Sequence, residues 1–77
     1  MKIVFSRHAL EKMAQRKIPR SVVVGVVQHP NFRNPGYNLR EQLFKRFKGI
    51  YIKVVVKRLR EKIVIVTAHL VATMKDN

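Results

Sequence analysis

Four residues in the second half of the chain carry the side chains that metal-free RNA cleavage requires: Arg46, Tyr51, Lys53 and His69. That reaction needs a base to take the 2′-hydroxyl proton and an acid to protonate the leaving oxygen. It also needs cations to hold the charge that grows on phosphorus. An imidazole with an unperturbed pKa of ~6.5 can fill either proton role, so His69 is the first choice. Tyr51 or Lys53 would supply the second group, and Arg46 and Lys53 would steady the developing charge. The composition points away from metal chemistry. There is no cysteine, and the three histidines and four acids (Glu11, Glu41, Glu61, Asp76) are scattered. A two-metal nuclease needs several converging carboxylates, so neither a dedicated metal site nor a cofactor is expected.

A polyanionic partner follows from the charge. Seventeen Lys and Arg against four acids give +13 on 77 residues. The basic residues run from Lys2 to Lys75, so the charge belongs to the folded surface rather than to a detachable tail. Nucleic acid, a strongly acidic protein or an anionic membrane would each match it. A membrane is the weakest match. No apolar run approaches the ~20 residues a spanning helix needs, and neither expected helix sets a basic face against bulky apolar residues. Met1 to Phe5 is too short for a signal peptide, which leaves a soluble, cytoplasmic protein as the expectation. An apolar fraction of 47% excludes a disordered chain, and the length suits one domain over residues 1–77.

The elements that must position those side chains read as α+β. Ile3 to Phe5 is a short strand. Ser6 is placed to cap a helix over Arg7 to Lys17, in which Ala9, Leu10, Met13 and Ala14 fall at helical spacing. Pro19 suits the first turn of a second helix that ends before Pro30, although its valines would equally suit a strand. Asn31 to Tyr37, containing Pro35-Gly36, reads as a loop. Asn38 to Phe47, Ile50 to Arg58 and Lys62 to Leu70 then form an antiparallel meander, with Lys48-Gly49 as a two-residue turn and Leu59-Arg60-Glu61 as the second loop. Asn38 to Phe47 is also compatible with a helix. Lys75 to Asn77 reads as a frayed end.

Register then assigns faces, because side chains alternate along a strand. The first turn sets Phe47 opposite Ile50, Arg46 opposite Tyr51 and Phe44 opposite Lys53. The second loop sets Arg58 opposite Lys62, Lys53 opposite Thr67 and Tyr51 opposite His69. The face toward the helices would then hold Leu39, Leu43, Phe47, Ile50, Ile52, Val54, Val56, Val64, Val66, Ala68 and Leu70, with Glu41 and Lys45 at its rim. The other face would hold Arg40, Gln42, Phe44, Arg46, Tyr51, Lys53, Val55, Lys57, Ile63, Ile65, Thr67 and His69. On that face Arg40, Phe44 and Lys57 join the four chemical residues as nucleic-acid contacts. The cations would meet phosphates, and Phe44 or Tyr51 would stack on an unpaired base. Exposed Val55, Ile63 and Ile65 would mark a dimer or partner surface.

The run Ser6-Arg7-His8-Ala9-Leu10-Glu11-Lys12-Met13-Ala14-Gln15-Arg16-Lys17-Ile18 resembles the opening of a family of small proteins, the domain of unknown function 4258. The specific part is the spacing of His8-Ala9, Met13, Arg16 and Ile18. Pro19, Val23, Val27, Pro30, Gly49 and Ile63 to Thr67 continue the likeness. Lys17 stands where that pattern commonly has Gly, and His69 where an aromatic is more usual. The family is similar to the RelE/ParE-like toxins. This resemblance implies two N-terminal helices on an antiparallel sheet and a toxin that cleaves free or ribosome-bound mRNA. It also implies an acidic antitoxin as partner. His8 and Arg16 map onto the family motif.

Plainer roles stand beside these. His8 in a first helical turn would serve as a hydrogen-bonding residue, and Arg16 would snorkel or cap a carbonyl. His29 would place charge at a helix C-terminus. The basic sheet face would be a solvated surface that binds nucleic acid without cutting it.

Overall fold

The computed structural model describes residues 1–72; the frayed end expected at Lys75 to Asn77 lies outside them. The order is β1 (Lys2–Phe5), α1 (Arg7–Arg16), α2 (Arg20–Gln28), β2 (Phe32–Pro35), β3 (Arg40–Phe47), β4 (Ile50–Arg58) and β5 (Lys62–Val71). Five strands form one sheet in the order β1-β5-β4-β3-β2. β2 to β5 pair antiparallel in sequence, while β1 lies parallel to β5 along the opposite edge, so the sheet is mixed.

Local chemistry accounts for the helices. Ser6 caps α1, its Oγ accepting from the Ala9 amide at 3.0 Å. The helix ends at Lys17, which is left-handed at φ 57 and ψ 45. Glycine takes that conformation without strain, which explains why the resembled pattern commonly has Gly here. Pro19 precedes α2, and Val23, Val26 and Val27 are buried against the sheet. Tertiary burial thus decides for a helix against the strand preference of the valines. The core joins Ala9, Met13, Ile18 and these valines to Leu43, Ile52, Val54, Val56, Ile63, Ile65 and Ala68.

The segment expected as a loop contains a strand. Phe32–Pro35 pairs with β3, and Pro35 is tolerated because β2 is an edge strand with no further neighbour to receive an N–H. A two-residue turn, Lys48-Gly49, closes β3–β4, and a turn centred on Asn38-Leu39 closes the three-residue loop between Gly36 and Arg40. Lys48 and Gly49 have φ 47 and 86, and Asn38 and Leu39 have φ 56 and 64, with the Arg40 amide donating to the Tyr37 carbonyl. Both central residues of each turn are left-handed, which matches the twist of a hairpin. Leu39, expected in the core, is therefore a turn residue and 72% exposed.

The β3–β4 register is as expected, with Phe47 opposite Ile50 and Arg46 opposite Tyr51. The β4–β5 register is not, and two successive shifts explain the difference. Arg58 pairs with Ile63 rather than Lys62, because the connection closes with the Leu59 amide on the Lys62 carbonyl. This one-residue shift turns Ile63 and Ile65 into the core, both buried, and Val64 away from it. A bulge at Val66, between the Val56–Ile65 and Val55–Thr67 pairs, then adds a second shift. Parity is restored beyond it, so Thr67 and His69 face away from the helices and Ala68 faces them. With Ile63 and Ile65 buried, the surface expected to serve a dimer or partner loses two of its three residues.

Glu41 and Lys45 lie at the rim. Glu41 is bound by Arg58 at 2.8 Å and Arg33 at 3.6 Å, and Lys45 Nζ donates to the His29 carbonyl at 2.8 Å. His29 itself caps α2, its amide donating to the Gly25 carbonyl. No helix among the described residues is long and apolar enough to cross a membrane.

Candidate functional site

β1 ends opposite Ile65, which leaves the outer edge of β5 unpaired from Val66 onward. Helix α1 fills the gap. The Ser6 amide donates to the Ile65 carbonyl at 3.1 Å, Ser6 Oγ to the Val66 carbonyl at 3.3 Å, and Arg16 Nη1 to the Ala68 carbonyl at 2.7 Å. The carbonyl-capping role expected of Arg16 is therefore real. It also holds a guanidinium beside His69, with donors to spare.

The open face of the sheet is arranged in rungs. Arg40, Lys57 and Val64 form one, Gln42, Val55 and Thr67 the next, then Phe44, Lys53 and His69, and last Arg46, Tyr51 and Val71. His69 thus stands directly opposite Lys53 and one rung from Tyr51, correcting the expected Tyr51–His69 pair. Directly opposed side chains on neighbouring strands have Cβ atoms roughly 5 Å apart.

Five groups meet at this place: His8, Lys12 and Arg16 from α1, Lys53 from β4 and His69 from β5. Burial holds the His69 imidazole below its ordinary pKa, and the positive charges of Arg16, Lys53, His8 and Lys12 add to that depression. The environment therefore favours the uncharged form of His69 more than water does. Lys12 was not anticipated as part of this group. Its signal was in the sequence, since His8, Lys12 and Arg16 recur at every fourth position and so share a helix face.

Other expected residues take different parts. Phe44 is 4% exposed and stacks on Phe32, ring centroids 4.8 Å apart, so it offers no surface to a base. Phe32 lies above it, with Tyr51 tilted against Phe32 at 5.6 Å. Tyr51 is thus a packing residue of an aromatic group as well as a neighbour of the cluster. Arg46 is exposed at the end of the face, its amide held by Asn31 Oδ1. Arg40 and Lys57 lie at the opposite end.

Between these ends lies a cavity of about 350 Å³, lined by Pro35 to Asn38 and Arg40 from the hairpin tip and by Gln42, Val55, Val66 and Thr67 from the sheet. Sequence reasoning missed it, because it depends on the bulge at Val66 and on the unexpected strand β2. Among the described residues, no three His, Asp or Glu side chains come together as metal ligands.

No curated protein and no solved structure matches the chain. The family model described as Domain of unknown function (DUF4258) matches residues 5–69. That span runs from the last residue of β1 to His69 and includes every member of the cluster. The chain belongs to the DUF4258 family.

Proposed function

We propose that the protein is a toxin-like RNA-binding protein of the RelE/ParE type, acting in the cytoplasm as a metal-independent endoribonuclease. The observation that carries this reading is the placement of His69 opposite Lys53 on the open sheet face, among the charges of Arg16, Lys53, His8 and Lys12, where burial and those charges lower its pKa. A surface that only attracts phosphate has no use for an uncharged imidazole at its centre. A base that must accept a proton beside a phosphate does.

The chemistry follows from the placement. His69 takes the proton from a ribose 2′-hydroxyl, and that oxygen attacks the adjacent phosphorus. Lys12, Lys53 and the free donors of Arg16 hold the charge on the phosphorane oxygens. The bond to the 5′-oxygen breaks as His8 delivers its proton to that oxygen. The products are a 2′,3′-cyclic phosphate and a 5′-hydroxyl. This assigns to His8 the acid role that sequence reasoning gave to Tyr51 or Lys53. An acidic antitoxin remains the protein partner this reading implies, its charge matched to the same face.

The test is incubation with single-stranded RNA in excess chelator, followed by end-group analysis. Cyclic phosphate ends are expected, with His69→Ala and Lys53→Ala each losing about 10²–10³-fold in rate. RNA that stays intact with and without ribosomes would overturn the enzyme. Salt-sensitive binding without cleavage would leave a noncatalytic nucleic-acid module.

A further inference from the structure

The cavity beside the His69 cluster has features that packing alone does not explain. Its roof is a strained hairpin tip. Leu39 is left-handed at φ 64, a conformation that bulky side chains rarely adopt. Gly36 lies so close to β3 that an added Cβ would stand 3.0 Å from the Arg40 carbonyl oxygen. Tyr37 in the same tip is 91% exposed, so its ring serves no core. Thr67 lines the floor, and its hydroxyl, turned away from the cavity and shielded from solvent, has no hydrogen-bond partner. An unpaired buried hydroxyl costs stability unless a ligand satisfies it. The lining combines apolar Pro35, Val55 and Val66 with polar Asn38, Gln42 and Arg40.

Position adds a second argument. Thr67 and Val55 on the cavity floor are two residues from His69 and Lys53 along their strands, a step of about 7 Å. On the other side of the same rung lie Arg40 and Lys57. A largely apolar cavity with Arg40 in its own lining, and with Lys57 on one side along the sheet and Lys53 on the other, has the layout of a base between its two phosphates.

We infer that the cavity between the β2–β3 tip and the open sheet face takes one unpaired nucleobase of a single-stranded RNA. Tyr37 stacks on the base, and Asn38, Gln42 and Thr67 meet its polar edge, the Thr67 hydroxyl reaching the cavity by rotation about χ1. Arg40 and Lys57 hold the phosphate on one side, and the phosphate on the other side enters the His69 cluster. This rests on the RNA reading above and adds to it a base-selecting subsite one nucleotide from the bond that is cut.

The experiment compares two fluorescent RNA hexamers, identical except that one has an abasic site at a central position, by anisotropy with the full chain at low salt. Stacking of a single base contributes about 5- to 150-fold in affinity, and the intact hexamer is expected to bind more tightly by a factor in that range. Tyr37→Ala and the cavity-filling Val55→Phe should each reduce that ratio toward one. Equal binding of the two hexamers to the wild-type protein overturns the base site while leaving the RNA reading intact. Binding of neither hexamer overturns both. A ratio that survives both substitutions also overturns it, since the base would then sit elsewhere.

Discussion

At the residue scale, stability is lost where the backbones of Lys17, Asn38, Leu39 and Lys48 are left-handed and where the Thr67 hydroxyl is unpaired. The first has no role in the cluster, so Lys17→Gly is expected to stabilise the fold by about 1 kcal/mol, read as a higher urea midpoint. Thr67→Val should also stabilise the free protein, by up to ~1–2 kcal/mol, because it removes an unsatisfied hydroxyl and keeps the shape. A fall in stability on Thr67→Val would show that the hydroxyl has a protein partner after all. His69 gives a pH signature. Its folded pKa is lowered, so below about pH 6.5 the unfolded state takes up the proton first. Stability is full above that pH and falls on acidification until the folded imidazole also titrates. In His69→Gln that part of the acid-side loss should vanish from pH-dependent thermal melts.

At the element scale, the decisive features are the bulge in β5 and the helix beside it. The types of the two helices and the three long strands could be read from the sequence, with boundaries within two residues. Capping at Ser6, helical spacing of Ala9 and Met13, and β-branched runs around a Lys-Gly turn are local signals. The β4–β5 pairing was not legible, because a loop closure and a bulge are settled by packing and leave no alternation of their own. Ile63-Val64-Ile65-Val66 is apolar on both faces, so the pattern could not report which residues turn inward. Even so, the two shifts cancel in parity, which is why Thr67 and His69 were placed on the correct face with the wrong neighbours. Strand β2 was hidden by Pro35-Gly36, which reads as a turn unless the strand lies at an edge. The α1–β5 seam carries its own prediction. Arg16→Ala leaves the Ala68 carbonyl without its cap and should cost about 1–3 kcal/mol in urea unfolding. A loss below 0.5 kcal/mol would mean that water replaces the guanidinium there, roughly the scale of an ordinary surface change.

At the scale of the whole molecule, +13 on 77 residues both recruits a polyanion and strains the fold. Self-repulsion should make the melting temperature rise with salt, while affinity for RNA falls. Contact with about four phosphates predicts a slope near −3 in a plot of log K against log salt, and Lys53→Ala should reduce its magnitude by roughly 0.7. Among the described residues no carboxylate contributes to the shift at His69, and Glu41, the acid on the sheet, is bound by Arg33 and Arg58. Nothing acidic on the sheet therefore competes with a phosphate for the cluster.

The central claim is that His69 works as a neutral base among cations. It is tested most directly by the single-turnover rate of RNA cleavage in chelator as a function of pH, for the wild type and His69→Ala. The rate should climb with pH through a midpoint below ~6.5 and fall again at higher pH once the general acid loses its proton, with the variant slower by about 10²-fold or more and lacking that rise. An identical profile for both proteins, or RNA left intact at every pH, would contradict it.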